Sequence, residues 1–362
     1  MRTLHVIGST QMGGADQFFV RLLTALTEAG HAPLAVTRAG SPIAQALAGG
    51  PVRQLHLPLA NRWDAWSWWQ LRRQIEREGI GLVQTYMGRA SRLMHVPAAS
   101  ACVHVARLGG FYKLDGYYRH CDAWIGNTQA ICDYLIREGL PGSRVFRIGN
   151  FVPEAPAVDD GELARLRTGL HLPPTAPVLF ALGRFIDKKG FADLLQALAR
   201  LPAVEAGRAP RLLLAGDGPE RPALEALVHA LHLDGHVHFL GWQQQPAAYF
   251  QLADALVCPS RHEPLGNVIL EAWSHRRPVL STANEGASEL IRDGDNGLIC
   301  PLADPDGLAA GIARLLALPA EARERIAGRG RATLDAEHGQ SAVLARYLEL
   351  YEHLRTLGRR SR

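Results

Sequence analysis

Apolar positions along this chain follow two periods in alternation. Short runs that are apolar at nearly every position (TLHVIGS, APLAVTR, VRQLHLP, LVQTYM, CVHVARL, AWIGNT and VFRIGNF) fall within the first 152 residues. Between them, ADQFFVRLLTALTEAG, WDAWSWWQLRRQIEREG and TQAICDYLIREG space their apolar residues at three and four and end at glycine. The first pattern predicts parallel strands buried on both faces, the second amphipathic helices. VPEAPAVDDGELARLRTGLHLPPTAP then breaks the alternation with prolines and acidic residues, which predicts a hinge and a short helix. A second strand series follows in PVLFALGR, RLLLAGDG, VHFLGW, ALVCPS and PVLSTA, again with helices between, and helical segments finish the chain. The reading is an α/β protein with two Rossmann-like, doubly wound domains, 1–152 and 177–335, joined by a linker over 153–176. A helical segment at 336–362 is expected to pack back on the first domain. Ligands of such sheets bind beyond the carboxyl ends of the strands, so the cleft between two facing domains is the expected site.

Composition narrows the class. A chain of 362 residues is comfortable for two domains, and 47% hydrophobic with 20% charged is ordinary for a globular protein. No apolar run reaches the roughly 18 residues of a membrane span. The first strand begins almost at Met1, so no leader is expected before the fold. Five cysteines (Cys102, Cys121, Cys132, Cys258, Cys300) match no metal spacing and no disulfide framework. They are expected to be reduced core thiols in a cytoplasmic protein. The net charge of +4 is uneven: residues 1–150 hold 16 Lys+Arg against 9 Asp+Glu, a balance of +7. A basic first half favours an anionic partner. Its cations form no run and no recognised nucleic-acid module, so nucleic acid is not expected.

Three stretches carry candidate chemistry. RHEPLGNVILEAW puts Glu263 and Glu271 eight positions apart. Pro264 suits a helix start, which would separate the two backbones by roughly 12 Å along the axis. Glycosidase carboxyl pairs sit closer, at about 5–9.5 Å, so the spacing favours two grips on one long ligand. Gly266 allows close backbone approach, and a helix N-terminus offers amides to an anion. In ALGRFIDKKGFADLLQAL, Arg184 and Lys189 flank a loop after a strand, a fork and a point charge suited to a diphosphate. In GSTQMGGADQFF, Gly13 and Gly14 join a strand to a helix without matching a dinucleotide fingerprint or a P-loop.

Taken in order, GRFIDKKG, LLLAGDGPE, VHFLGW, ADALVCPSRHEPLGNVILEAWSHRRPVLST and ELIRDGDNGLIC resemble the retaining GT-B glycosyltransferases with the E-x7-E signature. The glycine loop and DAWIGNTQAICDYL belong to the same pattern. The resemblance covers nearly the whole chain and is most specific over 177–305. It implies a metal-independent enzyme without cofactor that moves a sugar from a UDP- or GDP-sugar to a glycan or glycolipid hydroxyl. By that resemblance Glu263 binds the donor sugar and Glu271 the ribose, while Arg184 and Lys189 stabilise the departing diphosphate. Gly13 and Gly14 close over the ligand, amides of Leu265, Gly266 and Asn267 face the phosphate end, and Trp242 borders the base. One departure is plain: RLGGFYK has Gly109 and Gly110 where relatives carry a histidine, and His104 lies earlier in the strand. Asp293-Gly294-Asp295 mimics the metal-binding motif of another glycosyltransferase fold but is read as a turn. Rival readings on the same fold are a nucleotide-sugar epimerase or hydrolase, and a non-catalytic nucleotide-sugar-binding module.

The acceptor side rests on less. Arg89, Arg92, Tyr112 and Lys113 follow strand ends of the first domain and suit an acidic or phosphorylated acceptor. Trp63, Trp66, Trp68 and Trp69 stand beside Arg72, Arg73 and Arg77, a combination suited to an anionic membrane interface. Cell-surface glycan or lipopolysaccharide assembly at the inner face of the cytoplasmic membrane is the setting this implies.

Overall fold

The computed structural model describes residues 1–97, 99–201 and 208–360. The chain divides into two compact units, Met1–Phe151 with Gly339–Arg362, and Val152–His338. Positions 361 and 362 of the last segment lie outside the described residues.

Each unit is built on one parallel sheet. The first holds β1 (Arg2–Ile7), β2 (Ala32–Thr37), β3 (Arg53–His56), β4 (Leu82–Tyr86), β5 (Val103–Leu108), β6 (Ala123–Gly126) and β7 (Val145–Arg147), in the order β3-β2-β1-β4-β5-β6-β7. The second holds β8 (Val178–Leu182), β9 (Arg211–Ala215), β10 (Val237–Gly241), β11 (Ala255–Cys258), β12 (Val279–Thr282) and β13 (Leu298–Cys300), in the order β10-β9-β8-β11-β12-β13. Strand order therefore reverses between β1 and β4 in one unit and between β8 and β11 in the other. At such a switch point adjacent loops turn away to opposite faces and leave a crevice at the carboxyl ends. The central strands β4 and β5 are buried at every position, which is why their sequences read as unbroken runs. Two of their polar residues meet inside: Thr85 Oγ1 lies 2.8 Å from Ser91 Oγ and 2.9 Å from His104 Nε2.

The last helix, Gln340–Leu357, belongs to the first unit and completes its core. Val343, Tyr347, Leu350, Tyr351 and Leu354 pack with Phe18, Phe19, Tyr86 and Phe151. The buried Arg107 guanidinium donates to Tyr347 Oη at 2.8 Å and to Asn150 Oδ1, and lies 4.1 Å from the centre of the Phe18 ring. Tyr351 Oη donates to Gln84 Oε1 at 2.7 Å.

The stretch 153–176, read as a linker, is counted with the second unit. Its helix spans Asp160–Gly169, and Val152 and Leu172 join that unit's core. All five cysteines are buried and none is disulfide-bonded. Among the described residues, no helix is long and apolar enough to cross a membrane.

Candidate active site

β8 and β11 are hydrogen-bonded neighbours, so the loops that leave their carboxyl ends lie side by side. The β8 loop runs through Gly183 and Arg184 to a 3₁₀ turn at Asp187–Lys189, and a helix starts at Phe191. The β11 loop runs from Pro259 to Gly266, and a helix spans Asn267–Ser274. Amides of Arg261 and His262 donate to the Lys188 carbonyl at 2.9 and 3.1 Å, which fixes the two loops in register. Gly190 is left-handed at φ 64°, and a Cβ there would overlap the Pro259 carbonyl. Arg261 clamps the same junction, with Nε and Nη2 on buried Asp193 at 2.8 and 2.7 Å and Nη1 on Asp187 at 2.7 Å.

The product of this junction is an ion pair between Lys189 Nζ and Glu263 Oε2, both largely shielded from solvent. Burial pulls the Lys189 ammonium down, but the Glu263 carboxylate beside it more than offsets this and holds it above its ordinary range. Glu263 is fixed from behind as well. Its amide donates to Glu285 Oε2 at 3.1 Å, its carbonyl accepts from Gly286 N at 2.8 Å, and Glu285 Oε1 meets His262 Nδ1 at 2.7 Å. A Cβ on Gly286 would overlap the Leu265 carbonyl, so this crossing requires glycine. Partial burial pushes the Glu285 carboxyl up. Its own amide, His262 and the Glu263 amide outweigh that, and it lies below its ordinary range.

The helix after Glu263 starts at Asn267 rather than at Pro264, which corrects the sequence reading. Gly266, at φ 84°, turns the chain into it. The two glutamates are thus separated by a turn plus one helical turn, since Glu271 is only about 6 Å in rise beyond Asn267. Glu271 is half-buried, Leu265 is buried, and Arg184 is exposed on the β8 loop. Trp242 follows β10, the edge strand, and is 58% exposed.

The first unit repeats the arrangement at its own switch point. The loop after β1 carries Gly13 and Gly14, and the loop after β4 is a short helix, Met87–Leu93, that carries Arg89 and Arg92. The stem of Arg89 lies over Gly8, and Arg92 stacks on Tyr117 at 4.9 Å. Tyr112 follows β5 and closes over Gly110, its hydroxyl 3.2 Å from the position a Cβ would take. Lys113 is exposed beside it.

This loop also contains a residue that sequence reasoning missed. Asp16 is 5% exposed, and its Oδ2 accepts from the Gly13 amide at 2.8 Å, while Oδ1 has no hydrogen-bond partner in the protein. Burial raises its carboxyl above the ordinary range against the opposing pull of Ser9 and the Gly13 amide. The available signal was an acid three residues after Gly13, at the first turn of a helix.

The chain is similar to known proteins in sequence and in fold. The family described as Glycosyl transferases group 1 matches residues 164–333, and Glycosyltransferase Family 4 matches residues 12–155. Over 340 residues the chain is 35% identical to the lipopolysaccharide core biosynthesis glycosyltransferase LpsE of Rhizobium meliloti, covering 93% of this chain and 95% of the relative. The chain belongs to this glycosyltransferase family. LpsD of the same organism, also a lipopolysaccharide core biosynthesis glycosyltransferase, is 32% identical over 97% of this chain and 98% of its own. Anabaena HepE, solved with UDP-glucose, superposes with a TM-score of 0.81 at 20% identity, over 98% of this chain and 100% of that one. WaaG, a glycosyltransferase involved in lipopolysaccharide biosynthesis, gives 0.70 at 19% identity, over 97% and 99%. These superpositions establish the GT-B fold.

Within this glycosyltransferase, His104 does not stand in for the histidine that the family places near Gly109. It is buried on β5 and held by Thr85. The DxD-like stretch is a turn, with Gly294 N on Gly297 O at 2.8 Å. Both oxygens of Asp293 take Arg314 Nη1, at 3.0 and 2.9 Å, and Asp295 lies 3.7 Å from Arg329. The tryptophans divide: Trp68 packs against the core, whereas Trp63, Trp66 and Trp69 are 76%, 57% and 44% exposed. Arg62 and Arg73 lie 4.4 and 5.3 Å from the rings of Trp63 and Trp69.

Proposed function

We propose that this glycosyltransferase moves a sugar, with retention, from a UDP- or GDP-sugar to a hydroxyl of a glycan or glycolipid in cell-surface polysaccharide or lipopolysaccharide core synthesis. The observation that carries the donor reading is the Lys189–Glu263 pair at the β8/β11 switch point, beside Arg184 and the N-terminus of the Asn267–Ser274 helix. The pair is the resting arrangement. On donor binding Glu263 turns to sugar hydroxyls, and Lys189, held protonated, turns with Arg184 to the diphosphate. Negative charge grows on that diphosphate as the glycosidic bond breaks, and cations fixed there in advance stabilise the transition state more than the ground state. Amides of Leu265, Gly266 and Asn267 add to the phosphate site, Glu271 holds the ribose, and Trp242 borders the base.

Same-face attack, with a departing phosphate oxygen taking the acceptor proton, accounts for retention without a protein base. It also suits a chain with Gly109 and Gly110 in place of the histidine. The acceptor is read by Asp16, Arg89, Arg92, Tyr112 and Lys113. The relatives LpsE and LpsD support the lipopolysaccharide setting. The exposed tryptophans with their arginines support peripheral contact with the anionic inner face of the cytoplasmic membrane.

A thermal-shift series with UDP, GDP, ADP and their sugar conjugates tests the donor reading, because a ligand that binds only the native state raises the melting temperature. One nucleotide series should stabilise the wild type and lose its effect in Glu271→Ala. Equal shifts in both proteins would remove Glu271 from the donor site. Mass detection of product, with lipopolysaccharide core fragments as acceptors, then tests transfer itself.

A further inference from the structure

A group of potential metal ligands lies away from the loops described above. His104 lies near the amino end of β5, and His120 and Cys121 close the turn just before β6. One ligand atom from each of the three lies within 4.8 Å of the others. His104 Nε2 and Cys121 Sγ are 3.8 Å apart, and the same Nε2 lies 2.9 Å from Thr85 Oγ1, a contact that a bound ion would replace. A tetrahedral zinc ion, with Zn–S near 2.3 Å and Zn–N near 2.1 Å, separates such a pair by roughly 3.5 Å. For this pair the gap is a few tenths of an ångström, and the side-chain rotation of the half-buried His120 brings in the third ligand.

The surroundings hold these ligands in place. Asp122 N donates to the His104 carbonyl at 2.8 Å, and His104 N donates to Asp122 Oδ2 at 3.0 Å. The turn that carries His120 and Cys121 is thus tied to the His104 strand on both sides of one residue. His120 Nε2 lies 3.0 Å from the Met94 carbonyl. A carbonyl can only accept, so Nε2 carries the proton and Nδ1 keeps its lone pair. Metal-bound histidines are commonly oriented by a carbonyl in this way. The His95 ring stacks on His120 at 4.3 Å and limits its rotation. His104 and Cys121 are 1% and 0% exposed, and His120 is half-buried on the side that opens to solvent.

We infer that His104, His120 and Cys121 form a binding site for a zinc-like divalent ion, with Cys121 as thiolate, the two imidazoles neutral, and water in the fourth position. One bond forms to each side chain, and the Cys121 thiol proton passes to solvent. The site ties β5 to the turn before β6 near the amino end of the sheet. Its role is structural, and the transfer chemistry does not pass through it. Sequence spacing concealed it, because 104 and 120–121 lack the short paired intervals of a zinc motif.

The test uses the full chain, stripped with chelator and reloaded with zinc or cobalt alone. We expect one ion per chain by elemental analysis after desalting. The cobalt form should show a near-ultraviolet sulfur-to-cobalt charge-transfer band. Cys121→Ser should abolish the band and His120→Gln should weaken retention at least tenfold, while Cys102→Ser, another buried thiol, should leave both unchanged. If Cys121→Ser does not fold, the half-buried His120→Gln carries the test alone. A wild type that retains no ion, or one whose retention survives both ligand substitutions, would overturn the site and leave a hydrogen-bonded Cys–His group.

Discussion

Lys189 and Glu263 constrain each other in opposite senses. The carboxylate keeps the lysine charged despite its burial, and the lysine compensates a carboxylate that is itself largely enclosed. Lys189→Met should lower kcat by about 10²–10³-fold with a smaller change in KM, the scale for losing one pre-organised charge on a leaving group. Steady-state kinetics with the matched donor decide it, and an unchanged kcat would exclude the lysine from departure of the diphosphate. Because the lysine pKa is raised on folding, its contribution to stability is complete below its ordinary value near 10.5 and is lost as pH rises through the folded value. Asp16 shares this sign over a lower pH range. Its carboxyl is also raised, so its contribution is largest when protonated, below about 3.8, and falls as it ionises in the buried site. Asp16→Asn keeps an acceptor for the Gly13 amide and removes the buried charge. We expect a melting temperature equal to or above wild type at pH 7, with transfer reduced at least tenfold. Full activity in this variant would show that the unpaired oxygen meets no substrate hydroxyl.

At the scale of elements, the β8 and β11 loops depend on close main-chain crossings more than on side-chain packing. Gly190 sits where the β8 loop passes under Pro259, in a left-handed conformation and with no room for a Cβ. Gly190→Ala should therefore destabilise the second unit by about 2 kcal/mol or more, through strain and clash together. Urea unfolding would measure this, and donor affinity should fall with it, since the Lys189–Glu263 register passes through the same junction. The Ala65–Glu78 helix shows a different balance. Its buried side is Ser67, Leu71 and Ile75, so Trp66 and Trp69 are left facing solvent at a sharp cost in exposed apolar area. Replacing both with serine should lower binding to vesicles containing acidic lipid by several-fold and leave neutral vesicles and stability unaffected. Cosedimentation at low and high salt would show it, because the arginine contribution is screened. Equal binding by the double variant would exclude this helix as the contact.

At the scale of the molecule, the chain leaves the first unit near Phe151, builds the second, and returns near Gly339. The first unit is therefore incomplete until the last helix has been made. Tyr347 and Tyr351 each bring a hydroxyl to a buried polar group, Arg107 and Gln84, that would otherwise lack it. Tyr347→Phe should cost about 1–3 kcal/mol, because it leaves a guanidinium N–H unpaired in the interior. Chemical denaturation checks this. A neutral result would mean that the Asn150 contact alone satisfies the arginine.

The sequence by itself determined the alternation of strands and helices, the doubly wound class and the loops with chemistry. These are local properties: apolar period, terminal glycines and motif spacing are all written within a few residues. It placed Glu263, Arg184 and Lys189 on loops after strands and Glu271 in the helix that follows, and the strand order then set the loops of β8 and β11 side by side. Only the tertiary structure decided the Lys189–Glu263 pairing, Asp16's unpaired oxygen, the clamp of Arg261 on Asp193, and the meeting of His104 with His120 and Cys121. It also moved the start of the helix from Pro264 to Asn267, because Gly266 and the crossing at Gly286 impose a turn that local propensity does not contain. Each of these depends on which strands are neighbours, and that is fixed by the burial of whole sheets rather than by any single segment.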